Sequence, residues 1–286
     1  MAASDRANVP ADTPVYRLDG LSARHAGGTR AYALQDITLS VRSGEQLALI
    51  GPSGAGKTTL LATLACAQQP YGGTFTIFDQ APWALGNAAR HRLRARLFLA
   101  PQTPPLPPRQ RVVTAVLAAH LPQWSIWRAL ASLFKPADPQ AAWQALSRFN
   151  LGDKLYSRVD RLSGGERQRC GLARLLLAPA EALLVDEPLS ALDPVLSELT
   201  LTTLREEAAA RNATLVCSLH QVELALAHFP RIIALRAGRI VFDLPRAQVT
   251  PQMIAELYQG ESTTPAPAAP SEPQTMLVKP GAGACL

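Results

Sequence analysis

The chain has 286 residues and a formal net charge of +6, and hydrophobic residues make up 48% of it, enough for one large domain with a sizeable core. It has no uncharged apolar stretch of about 18 residues, and its start lacks the charged-then-apolar order of a signal peptide. These features argue against a membrane-spanning or secreted chain and predict a cytosolic one.

The predicted elements divide the chain into three parts. Residues 1–13 form a short polar start that we expect to be flexible. Residues 14–259 form the folded domain, which opens with antiparallel strands up to residue 50 and contains a mostly helical region at about 83–165. Two apolar runs on either side of Ala237-Gly238 predict a β-hairpin. The Pro- and Ala-rich residues 260–286 predict a disordered tail.

The segment Gly51-Pro52-Ser53-Gly54-Ala55-Gly56-Lys57-Thr58 fits the spacing G-x-x-x-x-G-K-[ST] and follows an apolar strand, Gln46 to Ile50. Three glycines allow backbone N–H groups to face phosphate oxygens, and the helix that begins around Thr59 adds partial positive charge. Lys57 would reach the β- and γ-phosphates, and the Thr58 hydroxyl would bind Mg²⁺. A simple glycine-rich turn is the alternative, but the order of strand, loop and helix favours binding of a nucleoside triphosphate.

A second candidate site follows the apolar run Ala182 to Val185, which ends in Asp186-Glu187-Pro188. The pattern is typical of a buried parallel strand with carboxylates at its C-terminal edge, where open α/β sheets bind ligands. Asp186 would be a partner of Mg²⁺, and Glu187 would orient or deprotonate water. Carboxylates also end many strands without any function, so this interpretation depends on the phosphate loop.

The segment Leu162-Ser163-Gly164-Gly165-Glu166 opens a stretch that is predicted to be helical from Arg167 to Leu177. Ser163 and Glu166 have the spacing of a capping box. The segment is either a capped helix and nothing more, or a helix N-terminus exposed to a phosphate. Both interpretations hold if the phosphate comes from outside the chain.

The densest basic run lies at residues 90–96 and lacks the interleaved aromatic residues of single-strand nucleic-acid binders. We interpret it as a solvated helix face, with membrane subunits or lipid headgroups as the alternative partner, and we predict no nucleic-acid partner. The four cysteines lack metal-ligand spacing. We therefore expect no metal other than Mg²⁺ on a nucleotide.

Two further motifs follow: Ser190-Ala191-Leu192-Asp193, and His220 after the strand Thr214 to Leu219. In order and spacing, all these motifs together resemble those of the ATP-binding cassette (ABC) ATPases, and the resemblance covers residues 14–258. The resemblance implies an α/β fold: a P-loop NTPase (RecA-like) core with an antiparallel β subdomain and a helical subdomain. It also implies an ATP-hydrolysing enzyme with ATP and Mg²⁺ as cofactors. Glu187, His220 and Gln102 would be catalytic, and Gln102 would also bind Mg²⁺.

The resemblance implies a ring that stacks on adenine shortly before the first core strand. Aligning residues 21–25 with that pattern places His25 there, where the family usually has tyrosine. Tyr32 is the alternative, and stacking on a base tolerates either ring.

The resemblance also implies a second copy of the chain. In this family the signature motif, here Leu162 to Glu166, lies on the face opposite the phosphate loop. Two cassettes therefore meet head to tail, and Ser163, Gly164 and Gly165 of one copy cover the ATP of the other. The chain holds one copy of each motif, and a two-fold symmetric partner is the simplest source of the other.

Three segments, residues 124–134, 218–223 and 235–243, resemble the ATPase subunits of phosphonate importers. This implies uptake of phosphonate or a related phosphorus oxyanion, two transmembrane permease subunits, an indirect solute-binding protein, and a peripheral place on the cytoplasmic face of the inner membrane. The proline-rich loop at 103–108 is stiffer than the family's usual contact with the membrane partner. The alternatives are an importer for another small solute, such as phosphite or an amino acid, and a soluble ABC protein of phosphonate breakdown, DNA repair or translation.

Overall fold

The computed structural model describes residues 14–24, 32–134 and 136–259. The predicted flexible start, His25 and the predicted tail lie outside these residues. The strands are β1 (Pro14–Arg24), β2 (Tyr32–Arg42), β3 (Gln46–Ile50), β4 (Gly72–Ile77), β5 (Leu97–Ala100), β6 (Ala182–Asp186), β7 (Thr214–Ser218), β8 (Arg231–Arg236) and β9 (Arg239–Pro245). The α-helices are α1 (Lys57–Leu64), α2 (Asn87–Arg94), α3 (Val112–Leu117), α4 (Ile126–Phe134), α5 (Pro139–Ser147), α6 (Gly164–Leu177), α7 (Pro194–Ala210), α8 (Val222–His228) and α9 (Pro251–Tyr258).

Two sheets organise the domain. One is antiparallel, in the order β2-β1-β4, which matches the antiparallel strands expected at the start of the domain. The other has the order β5-β6-β7-β3-β8-β9 and is parallel except for β9, which pairs with β8 as the predicted hairpin. The arrangement is the α/β fold expected from the sequence.

Alternate residues of the central strands face two separate cores. In β3, Leu47 and Leu49 pack in the core shared with the antiparallel sheet and α1, whereas Ala48 and Ile50 pack on the opposite side with α3, α5 and α6. Because side chains alternate across a strand, a run that is apolar at every position is the expected sequence of a strand buried on both faces.

The strand order places the candidate motifs at one edge of the large sheet. The chain leaves β3 into the glycine-rich loop, β5 towards Gln102, β6 into Glu187 and β7 towards His220. These four strands are parallel, so their carboxyl ends meet at the same edge, where α/β sheets bind ligands.

The region predicted as mostly helical differs from the prediction in one element. It contains β5, which pairs with β6 and belongs to the central sheet, so α2 lies before this strand and the other helices of the region begin after Ala100. A run of four apolar residues is too short for its periodicity to separate a buried strand from a helix.

Within residues 14–24, 32–134 and 136–259, no helix combines the length and apolar character needed to cross a bilayer. Cys66, Cys170 and Cys217 are buried free thiols. Burial raises the pKa of the Cys66 thiol to about 11 and that of Cys170 to about 12, which fits packing residues rather than reactive nucleophiles.

Candidate nucleotide-binding and catalytic site

The loop between β3 and α1 depends on glycine for its shape. Gly51, Gly54 and Gly56 have φ angles of 145°, 77° and 105°, in the region that other residues rarely adopt. A Cβ atom on Gly56 would lie 2.7 Å from the Ala33 carbonyl oxygen, and one on Gly51 would collide with the Leu235 carbonyl oxygen. Around Gly54 a Cβ would meet nothing within 4 Å, so this part of the loop has open space in front of it.

Lys57, the first residue of α1, is held over the loop. It is only 4% exposed, and its Nζ donates hydrogen bonds to the carbonyl oxygens of Gly51 at 2.6 Å and Pro52 at 3.1 Å. Both acceptors belong to the loop itself, so the positive charge is positioned at the loop before any ligand binds.

A cavity of about 410 Å³ opens in front of the loop. Most of the predicted site residues line it: Ser53, Gly54, Ala55, Gly56, Lys57, Thr58, Thr59, Gln102, Glu187 and His220. Gly51 and Pro52, the first two residues of the loop, are not among its lining residues. A space walled by a glycine-rich backbone, a lysine and three hydroxyl-bearing side chains fits a polyphosphate.

Glu187 is the centre of a polar group opposite the loop. Gln102 Nε2 donates to Glu187 Oε2 at 2.7 Å, and His220 Nε2 lies 2.5 Å from Glu187 Oε1. The three side chains come from the ends of β5, β6 and β7, and together they place a carboxylate where it can accept a proton from water or orient it.

Asp186 and Glu187 are adjacent in sequence but have different surroundings. Asp186 is buried and accepts a hydrogen bond from the Ser218 hydroxyl at 2.6 Å, and it lines a small neighbouring cavity rather than the phosphate cavity. Of the predicted Mg²⁺ ligands, Thr58 and Gln102 therefore line the large cavity and Asp186 does not.

In the described part of the chain, no group of three or more His, Cys, Asp or Glu residues could hold a metal ion by itself. Mg²⁺ commonly binds through one or two protein groups plus substrate phosphates and water. The donors at this cavity, a hydroxyl, an amide oxygen and the nearby carboxylates, fit that mode.

Ser163, Gly164 and Gly165 are not among the residues that line the cavity. Ser163 and Glu166 form the predicted capping box at the start of α6: Glu166 N–H donates to Ser163 Oγ at 3.2 Å, and Ser163 N–H donates to Glu166 Oε2 at 2.8 Å. The hydrogen bond from the Ser163 backbone lowers the pKa of Glu166. Ser163 and Gly164 are exposed, so the end of the helix is accessible to an external group.

The adenine-stacking residue stays a prediction. His25 lies outside the described residues. Tyr32 is half-exposed and makes an edge contact with Tyr71, with ring centroids 5.8 Å apart. The Arg24 guanidinium lies 3.8 Å from the centroid of the Tyr71 ring.

Comparison with known proteins agrees with this geometry. Residues 34–190, more than half of the chain, match the family model described as ABC transporter. The chain belongs to the ABC transporter family. Its motifs and fold make it an ABC-type ATPase, as the sequence predicts.

Sequence similarity to individual relatives extends beyond the residues that match the family model. The chain is 58% identical over 243 residues to the phosphonates import ATP-binding protein PhnC 2 of Albidiferax ferrireducens, covering 84% of this chain and 88% of that protein. It is 56% identical over 257 residues to the protein of the same name in Pseudomonas aeruginosa strain UCBPP-PA14, covering 90% of this chain and 96% of that one.

Solved structures support the fold of the cassette. A dimeric bacterial ABC transporter cassette matches with a TM-score of 0.69 at 24% identity, over 81% of this chain and 98% of that one. An ATP-binding cassette in its ADP conformation also matches with a TM-score of 0.69, at 20% identity over 87% of this chain and all of that one.

The structure adds two side chains to the predicted set. Ser218 Oγ accepts a hydrogen bond from the Glu187 N–H at 2.9 Å, and Gln168 Nε2 donates to the Glu187 carbonyl oxygen at 2.8 Å and to Ser190 Oγ at 3.2 Å. Ser218 lies two residues before His220 and Gln168 follows the signature motif, so both lie beside segments that the sequence already marks. Nothing in the sequence alone indicates that they meet at Glu187.

Proposed function

We propose that this chain is the ATP-hydrolysing subunit of an importer for phosphonate or a related phosphorus oxyanion. The observation that carries the proposal is the name shared by relatives that are 54% to 58% identical over most of both chains: phosphonates import ATP-binding protein. A soluble role is less consistent with relatives that are import subunits along almost their full length.

The residues at the cavity suit specific tasks in ATP hydrolysis. The loop N–H groups and Lys57 would bind the β- and γ-phosphates, and Thr58 and Gln102 would hold Mg²⁺ from the cavity wall. Asp186, which does not line the cavity, would be the further Mg²⁺ partner beside Glu187. When bound, the ion would neutralise phosphate charge. Glu187 would orient the attacking water and accept its proton, while Gln102 and His220 would fix the carboxylate in place through their contacts with its two oxygens.

A second copy of the chain would complete the site. Ser163 and Gly164 lie exposed at the N-terminus of α6, where the first N–H groups of a helix have no backbone partner within the helix. None of the cavity-lining residues comes from this helix end. Head-to-tail pairing would bring the signature residues of each copy to the phosphates held by the other, which is the simplest use of both features.

Helix α4 provides a surface for the proposed permease partner. Ile126, Trp127 and Leu130 are 71%, 79% and 47% exposed, whereas Ser132 is 7% exposed. A surface helix normally buries its apolar stripe, so this reversed pattern favours contact with another protein. We place the chain on the cytoplasmic side of the inner membrane as a peripheral subunit held by two such permeases.

Trp127→Ser is expected to weaken co-purification with the two membrane subunits while leaving ATP binding unchanged. Trp143→Ser is the control, because Trp143 is another exposed tryptophan of the helical region but lies on α5. Equal co-purification of both variants with the permeases would argue against α4 as the docking surface.

The cargo is tested by growth. Deleting this subunit should abolish growth on a phosphonate as the sole phosphorus source and leave growth on phosphate intact. Wild-type chain should restore growth, and Lys57→Ala should not, because it removes the charge that binds the phosphates. Normal uptake of labelled phosphonate by the deletion strain, in the absence of a second importer, would overturn the cargo but not the ATPase assignment.

A further inference from the structure

The C-terminal helix touches the base of the phosphate loop. The backbone N–H of Gly51, the first residue of the loop, donates a hydrogen bond to the hydroxyl oxygen of Tyr258 at 3.2 Å. Tyr258 is the last residue of α9 and lies outside residues 34–190, the part that matches the family model. The contact joins two parts of the chain that are 207 positions apart.

Helix α9 is fixed firmly enough to hold the tyrosine in place. Arg236, at the end of β8, donates to the carbonyl oxygen of Glu256 at 2.9 Å and to that of Gln259 at 2.7 Å. These two acceptors flank Tyr258, at the helix end where carbonyl groups need external donors. Leu257 is buried in the core beside the sheet.

Gly51 connects Tyr258 to the phosphate-binding lysine. Its N–H donates to Tyr258, and its carbonyl oxygen accepts from Lys57 Nζ at 2.6 Å. With φ at 145° and no side chain, Gly51 has little intrinsic preference for this conformation. Hydrogen bonds on both sides of the residue therefore set the angle at which the loop leaves β3.

We propose that Tyr258 is a positioning residue for the nucleotide site, which fixes Gly51 and through it the loop and Lys57 in a conformation ready for phosphate. The inference rests on the proposed ATP-binding function. A preordered loop binds its ligand without first losing conformational freedom, so loss of the tyrosine hydroxyl weakens binding rather than chemistry.

The test is Tyr258→Phe in the full-length chain, which removes the hydroxyl and keeps the ring. Loss of one neutral hydrogen bond should raise the Kd for Mg-ATP about three- to tenfold, measured by displacement of a fluorescent ATP analogue. KM for ATP should rise by a similar factor while kcat at saturating ATP stays unchanged, which is the pattern of lost uniform binding.

Two further variants separate positioning from a general loss of stability. Ile233 is a buried core residue on β8, the strand that ends in Arg236. Ile233→Val should lower the stability of the core without changing a contact of the loop, and should leave Kd and KM unchanged. Arg236→Ala loosens the end of α9 and should also raise the Kd. Combined with Tyr258→Phe it should add little, because both act on the same contact.

A Tyr258→Phe variant with wild-type Kd and KM would overturn the inference, as would an equal rise in Ile233→Val. Full additivity with Arg236→Ala would also count against it. Each of these three outcomes concerns a variant and is compatible with ATP binding by the wild-type chain, so the proposed function would stand. A wild-type chain that bound no ATP would overturn both.

Discussion

Replacing Glu187 by glutamine is the sharpest test of the catalytic group. In the structure its carboxylate contacts Gln102 Nε2 at 2.7 Å and His220 Nε2 at 2.5 Å. A glutamine amide has the same size, its oxygen can accept from Gln102, and its nitrogen can donate to His220 when Nε2 carries no proton. The substitution therefore keeps both contacts and removes the negative charge, and with it the ability to accept a proton.

The expected loss follows from that single change. Removing a general base costs about 10²- to 10⁴-fold in rate, or about 3–5 kcal/mol of transition-state stabilisation. Turnover is measured as phosphate release at saturating Mg-ATP. Binding of a fluorescent ATP analogue should stay within about twofold of wild type, because no phosphate-binding group changes. Unhydrolysed ATP should also hold the two copies together, visible as an ATP-dependent dimer on size-exclusion chromatography.

The matched control is Glu181→Gln. Glu181 is an exposed carboxylate that pairs with Arg96 at 2.7 Å, away from the cavity, and its substitution should leave turnover unchanged. Wild-type turnover by Glu187→Gln would remove Glu187 from the role of base. Loss of ATP binding together with turnover would refute the reasoning from the preserved contacts.

Three other outcomes are expected. Gly171→Ala should lower the free energy of unfolding by about 1–3 kcal/mol in urea titrations, because the new Cβ would lie 2.5 Å from Pro104 Cβ; Gly72→Ala, with open space around it, should not. Ser163→Ala removes the cap of α6 and should cost about 1 kcal/mol by the same measurement, with a weaker ATP-dependent dimer. Removal of residues 262–286 should change neither ATPase activity nor the unfolding midpoint, since their composition offers little apolar surface to bury; a large change in either would contradict that reasoning.

A strand can be predicted from this sequence where recognisable residues bound its apolar run at both ends. Gln46–Ile50 has the predicted bounds, and Ala182–Asp186 extends one residue beyond the predicted apolar run, because Asp186 still pairs with Ser218 in the sheet. The strand Leu97–Ala100 was not predicted. Its apolar run follows a basic helix without a glycine or proline between them, so the sequence gives no sign that the chain re-enters the sheet.

The site was predictable as separate motifs but not as a network. Local spacing identifies the phosphate loop, the signature segment and Glu187, each from a few adjacent residues. The contacts of Ser218 and Tyr258 join distant parts of the chain through the fold, and a single sequence contains no local signal for them. The family resemblance assigned Gln102 and His220, and their contacts with Glu187 fit that assignment, although their roles stay predictions.

The backbone at Glu187 explains how two adjacent carboxylates can serve different purposes. Side chains alternate along a strand, and Asp186, the last residue of β6, is directed to Ser218. Glu187 then adopts a φ of 47°, a left-handed conformation that costs a residue with a side chain about 1–3 kcal/mol. Ser218 and Gln168 bind its N–H and its carbonyl oxygen and so hold the backbone in that conformation. The turn directs the Glu187 carboxylate into the phosphate cavity, which is the direction that its proposed role as a base requires.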